Sequence, residues 1–185
     1  MFDNYESRPV LERHGRAEFQ ALKKDLLSIY RHVYADRLRD PFFSEDRFWG
    51  RLEGYSERDG FLVISARIDE DLVGFTLGFT LPPNSGWWNG LREDVPADML
   101  AEDGRRTFAV AELMVRPEYR RRGYARALSA ALLENRTEQR ATLLVRPENT
   151  PARTAYLSWG WRKFGHLQPF DDAPVYDVML RDLPA

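Results

Sequence analysis

The sequence predicts a mixed sheet flanked by helices, in the α/β or α+β range. Three observations carry that expectation. Two runs rich in Val, Ile, Phe and Leu are divided by Asp69-Glu70-Asp71, an apolar run, a helical pattern and a second apolar run follow one another between 107 and 145, and helical spacing recurs before and after them. A chain of 185 residues fits one domain, 1–185, because typical domains hold roughly 100–200 residues. Its 43% hydrophobic and 13% aromatic content is enough for a core, which argues against wholesale disorder.

In chain order, residues 1–15 read as a loose lead-in. From Ala17, the residues Leu22, Leu26, Ile29, Tyr30 and Val33 recur at helical spacing. Ser44 can cap a second helix, with Glu45 and Asp46 favourable in its first turn and Phe48, Trp49, Leu52 and Tyr55 on its apolar face. Phe61 to Ile68 and Leu72 to Leu81 then form an antiparallel hairpin. Residues 82–106 carry Pro82-Pro83, Gly86, Gly90, Pro96 and Gly104, and a loop of that length tends to be functional. A short helix is expected within it near Ala97 to Ala101. Thr107 to Val115 is a strand closed by Pro117, Arg122 to Glu138 a helix, and Ala141 to Val145 a buried strand. A right-handed crossover should make those two strands parallel. Asn149 can cap a last helix through Ala152, Ala155, Tyr156 and Trp159, stopped at Gly160. Trp161 to Leu167 and Val175 to Leu180 are closing strands.

Composition excludes several function classes. A net charge of -2 argues against global attraction to nucleic acid or an anionic membrane, although Arg120, Arg121 and Arg122 form a local basic patch. With no cysteine, the chain has no disulfide, thiolate nucleophile or Cys-ligated zinc, and a reducing compartment is permitted. Met1 to Arg16 lacks an apolar leader core, and no stretch approaches the ~18 apolar residues of a membrane span. The reading is a soluble, cytoplasmic protein.

The informative run is Ala111-Glu112-Leu113-Met114-Val115-Arg116-Pro117-Glu118-Tyr119-Arg120-Arg121-Arg122-Gly123-Tyr124-Ala125. A strand ends, a turn follows, and a helix begins. The first turn of a helix has N–H groups without intrahelical partners, and the macrodipole adds about half a positive charge there. Gly123 and the small Ala125 let a ligand approach the backbone, and the arginines add formal charge, so the pattern suits a phosphate. Arginines at a helix start also occur as a merely solvated face, where they oppose the dipole. No Gly-x-Gly-x-x-Gly and no Gly-Lys-Ser/Thr is present here, which excludes the dinucleotide fingerprint and the Walker loop.

Arg120-Arg121-Arg122-Gly123-Tyr124-Ala125 resembles the Gln/Arg-x-x-Gly-x-Gly/Ala signature of the GNAT N-acetyltransferases, and Leu113 to Tyr119 resembles that family's lead-in. A second block, Val145-Arg146-Pro147-Glu148-Asn149 with Ala152, Ala155-Tyr156-Leu157 and Gly160-Trp161, resembles the family's later motif, with Trp161 in place of the usual Phe. The resemblance covers about 61–167. It implies a mixed, mainly antiparallel sheet whose parallel central strands, at 107–115 and 141–146, splay apart. It further implies acetyl-coenzyme A as cosubstrate and no metal. Pantetheine would pair with the backbone at Leu113, Met114 and Val115. The pyrophosphate would sit on Arg121, Arg122, Gly123, Tyr124 and Ala125 beside Arg120, and Asn149 would contact the coenzyme.

Acyl transfer to an amine requires a neutral amine held at the thioester and a proton for the leaving thiolate. By resemblance Tyr156 supplies that proton; by itself it is also a half-buried helix tyrosine. Glu112 interrupts an apolar strand, where a carboxylate is costly unless solvated, paired or used. It either serves the acceptor ammonium or forms a salt bridge, which 27 basic residues make easy. Asn149 is explained locally as a helix cap. His14, His32 and His166 have no ligand spacing and read as structural or surface residues, while Trp87-Trp88 is either a lid or an anchor for its loop. Glu93, Asp94, Asp98, Glu102 and Asp103 would favour a cationic acceptor if they are free.

The expected activity is N-acetylation of a primary amine, on a small molecule or a peptide, with no nucleic acid or membrane partner and with a homodimer allowed. A non-catalytic acyl-coenzyme A-binding module is the alternative. A nucleic-acid-binding protein has only Arg120 to Arg122 behind it.

Overall fold

The computed structural model describes residues 8–184. Seven strands make one sheet in the order β1-β2-β3-β4-β5-β7-β6, mainly antiparallel with one parallel pair, flanked by helices. In sequence these are β1 (Val10–His14), α1 (Arg16–Phe19), α2 (Lys23–Val33), α3 (Glu45–Ser56), β2 (Leu62–Ile68), β3 (Asp71–Thr80), α4 (Ala97–Leu100), β4 (Thr107–Val115), α5 (Tyr124–Leu133), β5 (Arg140–Val145), α6 (Thr150–Ser158), β6 (Arg162–Leu167) and β7 (Tyr176–Asp182). Among the described residues no helix is long and apolar enough to cross a membrane. The chain folds into two compact units, each assembled from three segments.

The first unit comprises the residues up to Gly50, Leu62–Leu77 and Glu112–Glu134. Its core is aromatic: Phe19 stacks on Trp49 at 4.7 Å and Tyr30 on Phe48 at 3.9 Å, all four buried. Ser44 caps α3 through its Oγ, which accepts from Arg47 N at 3.4 Å. The expected lead-in is corrected from Val10 onward, because β1 pairs antiparallel with β2 from Val10↔Arg67 to His14↔Val63; residues 1–7 lie outside the described residues. β1 escaped the pattern search because it is a solvent-facing edge strand with Val10 63% exposed, so no apolar alternation marks it. Polar pairs fasten it instead: His14 Nε2 to Ser65 Oγ at 2.8 Å and Arg67 Nε to Glu12 at 3.3 Å.

α5 is shorter than the expected Arg122–Glu138 at both ends. It starts at Tyr124 because Gly123 holds a left-handed φ of 81°, and it ends because Glu134 is extended and Asn135 has φ 57°. Glu138 is therefore not helical. It is a buried carboxylate paired with Arg136, and it accepts a bond from Thr80 Oγ1 at 2.6 Å.

The second unit comprises Arg51–Phe61, Gly78–Ala111 and the residues from Asn135 on. Phe79, Leu81, Trp88, Ala109, Leu167, Val178 and Leu180 form its buried cluster. β5 lies parallel to β4, from Thr107↔Arg140 to Val110↔Leu143, and antiparallel to β7. The expected crossover is thus present. Asn149 caps α6 with Oδ1 accepting from Ala152 N at 3.3 Å, and Gly160, at φ 85°, ends it.

Candidate functional site: the strand-to-helix turn

β4 changes character along its length. Thr107–Val110 are buried, Ala111, Glu112 and Leu113 are partly exposed, and Met114 and Val115 are buried again. Its register with β5 stops at Val110↔Leu143, although β4 continues to Val115 and β5 to Val145. Thr76 Oγ1 donates to the Glu112 carbonyl at 2.8 Å, and Arg116 N donates to Val73 O at 2.9 Å, which ties this end of β4 to β3.

Beyond β4, Pro117–Tyr119 make one tight turn and Arg120 is extended. Arg121 then takes φ 62° and Gly123 φ 81°, with Arg122 between them and the helix starting at Tyr124. Alternating hands in succession turn consecutive N–H groups toward one concavity, the geometry of an anion nest. The first bond closing the helix runs from Ala127 N to Gly123 O at 3.0 Å, so the N–H groups of Tyr124, Ala125 and Arg126 have no intrahelical acceptor. The macrodipole adds to their pull on an anion. Gly123 is required by its φ. A Cβ built there would meet nothing within 4 Å, so the space in front of the turn is open. Arg120, Arg121 and Arg122 are exposed and form no ion pair among the described residues. Arg120 Nε instead reaches Val115 O at 3.2 Å, and Arg122 lies 5.5 Å from the Tyr119 ring. Open space, helix-start N–H groups and three exposed arginines that pair with no carboxylate among the described residues fit a phosphate.

In the second unit, α6 carries Asn149 at its exposed cap and Tyr156 partly buried on its body. The Tyr156 ring meets Trp159 at 5.6 Å and Trp161 at 6.0 Å, both edge-on, and Trp161 is 3% exposed. The residue replacing the usual Phe therefore acts as a buried wall for the tyrosine. One continuous stretch of the first unit thus holds Glu112, Leu113, Met114, Val115 and Arg120 to Ala125, while the second unit holds Asn149 and Tyr156.

The profile of the acetyltransferase (GNAT) family matches residues 19–161. The chain belongs to that family. GNAT proteins transfer acyl groups from acyl-coenzyme A, and the fold agrees. Ard1 from Thermoplasma volcanium is 18% identical with a TM-score of 0.62, covering 96% of this chain and 99% of its own. A ribosomal-protein-alanine N-acetyltransferase from Brucella melitensis is 18% identical with a TM-score of 0.59, covering 94% and 99%. PaiA N-acetyltransferase from Thermoplasma acidophilum, in complex with coenzyme A, is 13% identical with a TM-score of 0.54, covering 94% and 99%. At such identities the likeness establishes the fold alone. No curated protein matches in sequence.

Within this GNAT chain the 82–106 loop corrects one expectation. Trp88 is 7% exposed, and its Nε1 donates to Glu102 Oε1 at 2.9 Å. The same oxygen accepts from Thr107 Oγ1 at 2.8 Å and Arg140 Nη2 at 3.1 Å. Burial pushes the Arg140 pKa down from its ordinary value, and the Glu102 pairing works against that. Glu93 accepts from His166 N and pairs with His166 Nδ1, both at 2.7 Å. Those bonds, the backbone one foremost, hold Glu93 below the usual carboxylate range. Asp103 accepts from Arg105 N at 2.8 Å. Three of the five carboxylates expected to attract a cation are thus committed to the fold, and only Asp94 and Asp98 remain as exposed charges without such a bond. The tryptophan pair anchors the loop: both rings pack on the cluster around Phe79 and Leu81.

The histidines serve as structural partners. His14 meets Ser65, His32 Nδ1 lies 2.7 Å from Ser28 O, and His166 meets Glu93. Among the described residues no His, Asp and Glu group is arranged to hold a metal ion. Sequence reading missed Asp177, which is fully buried in β7 against Arg153 and Lys163. Its signal was available, since an Asp between Tyr176 and Val178-Met179-Leu180 interrupts an apolar strand just as Glu112 does.

Proposed function

We propose that this chain moves an acetyl group from acetyl-coenzyme A to a primary amine by direct transfer. The observation that carries the reading is the turn from Arg120 to Ala125, with its alternating backbone, open front and three exposed arginines that pair with no carboxylate among the described residues. In this reading the pyrophosphate takes the N–H groups of Arg121 to Ala125, with Arg120, Arg121 and Arg122 around it. The partly exposed end of β4 at Leu113, Met114 and Val115 offers backbone groups to pantetheine, and Asn149 adds a contact. Acetyl-coenzyme A supplies an activated acyl thioester.

Glu112 takes the proton from the acceptor ammonium, directly or through water. The amine then attacks the carbonyl carbon, the C–S bond breaks, the Tyr156 hydroxyl delivers a proton to the leaving sulfur, and the second proton released by the nitrogen passes through water and restores the phenol. The neighbours that are N-acetyltransferases by name, among them the coenzyme A complex, support amine acetylation. The 185 residues act as one catalytic domain. It works in the cytoplasm on a small-molecule or peptide amine, needs no nucleic acid, membrane or metal, and is compatible with a homodimer.

The test is release of free coenzyme A from acetyl-coenzyme A across a panel of amines. Amine-dependent release is expected. Tyr156→Phe should lower kcat by about 10²–10⁴-fold with coenzyme affinity nearly kept. Tight coenzyme binding with no amine-dependent release would instead identify a module that binds without turnover.

A further inference from the structure

Asp177 lies in β7 opposite Val145, the last residue of β5, and opposite His166 on β6. Its side chain is 1% exposed. Arg153 Nε from α6 lies 2.8 Å from Oδ2, and Lys163 Nζ from β6 lies 2.7 Å from Oδ1. His166 Nε2 is 3.6 Å from that oxygen and 2.9 Å from Lys163 Nζ. Neither carboxylate oxygen receives a well-aimed hydrogen bond despite these short distances, so the contact is one of charge. A charge buried this deeply is costly unless paired, and here two cations pair it.

Arg153 is also three residues before Tyr156 on α6. At that spacing two side chains are neighbours on one helix face, with Cβ atoms about 5–6 Å apart. Arg153 additionally donates Nη1 to Pro147 O at 3.2 Å, which holds the start of the helix. We propose that Asp177 is a positioning residue for acyl transfer: through Arg153 it fixes α6, and it neutralises the cation that Arg153 carries one turn before Tyr156 on that helix. The proposal rests on the reading of Tyr156 as the acid. A phenol that must deliver a proton has to stay protonated, and uncompensated positive charge nearby favours phenolate.

The charged and titratable groups around this pair are Arg153 from α6 and Lys163 and His166 from β6. Glu93 from the 82–106 loop lies behind His166, and the Arg146–Glu148 pair, 3.3 Å apart, precedes α6.

Asp177→Asn and Arg153→Gln break the same ion pair. If the pair served packing alone, the two variants would act alike. Charge compensation requires opposite effects. Asp177→Asn uncovers the cations, so Tyr156 ionises more readily and the alkaline limb of kcat moves to lower pH, by about half a unit or more. Arg153→Gln removes a cation and moves the limb upward. The direct readout is phenolate absorbance against pH, each variant taken with and without Tyr156→Phe as its blank. If Asp177→Asn does not fold, Lys163→Gln and Arg153→Gln each remove one cation, and both must raise the titration. Shifts of one sign in Asp177→Asn and Arg153→Gln, or no shift in either, overturn the proposal. So does an unmoved titration in both cation variants. Tyr156→Phe with wild-type kcat would sink the acid assignment, while the absorbance titration still reports on Asp177, so the two failures are separately visible.

Discussion

Two stretches of this chain are rich in charge and glycine, and they use those residues in opposite ways. In the turn after β4, Arg120, Arg121 and Arg122 pair with no carboxylate among the described residues, the N–H groups at the start of α5 have no acceptor within the helix, and Gly123 has open space before it. In the 82–106 loop the charges close on the protein itself. Glu102 binds Trp88, Thr107 and Arg140, Glu93 binds His166, and Gly90 sits where a Cβ would lie 2.1 Å from Gln168 O. Charge satisfied by a distant carboxylate holds a fold, whereas charge that meets no carboxylate stays exposed at the surface of the turn. Residue type alone does not separate the two cases.

The comparison breaks first at Glu102. Glu102→Ala leaves the Arg140 guanidinium, whose side chain is 9% exposed, without its carboxylate. A broken buried pair costs about 3–5 kcal/mol. Thermal and denaturant melts should show that loss, and proteolysis should begin within 82–106. A loss under about 1 kcal/mol would mean that the loop does not depend on this anchor.

Gly123→Glu probes the turn and should reverse the pattern, with little loss of fold and large loss of binding. Crowding and like charge should lower acetyl-coenzyme A affinity in calorimetry by about 100-fold, roughly 2.8 kcal/mol. The left-handed φ adds a fold penalty of about 1–2 kcal/mol for most side chains, so Gly123→Asn, which tolerates that φ, is the control. A folded Gly123→Glu with wild-type affinity removes the turn from the coenzyme site.

Glu112 tests whether a partly exposed strand carboxylate belongs with the turn or with the loop. Glu112→Gln should lower kcat/KM by about 10-fold below the acceptor's own pKa and recover at high pH, where the amine is already neutral. Profiles that run parallel would place Glu112 among the structural carboxylates.

The smallest effect is expected at Glu93. Its pKa is held down in the folded state, so its contribution is present above the ordinary carboxylate range and is lost as pH falls through the depressed value. Glu93→Gln should therefore melt below wild type at neutral pH, with the gap closing on acidification. A gap that persists in acid would mean that Glu93 holds His166 by shape and not by charge. Glu138 contributes with the same sign. Burial pushes its pKa up, but the bonds from Arg136 and Thr80 together bring it down.

By itself the sequence determined whatever depends on neighbours along the chain. Ser44 and Asn149 cap helices from within three residues, and the Asp69-Glu70 turn joins two strands. Arg120 to Ala125 carries the family's signature in six consecutive positions, and the family profile matches residues 19–161 around it. Tertiary structure alone decided which charges are satisfied. Glu102 finds Arg140 38 residues away, β1 finds its ladder on β2 51 residues away from His14 to Ser65, and Glu93 finds His166 73 residues away. Local patterning is set by backbone geometry and short-range sterics, which a window of sequence contains. Pairing between distant charges is set by which surfaces the packed core brings together, and no window contains that.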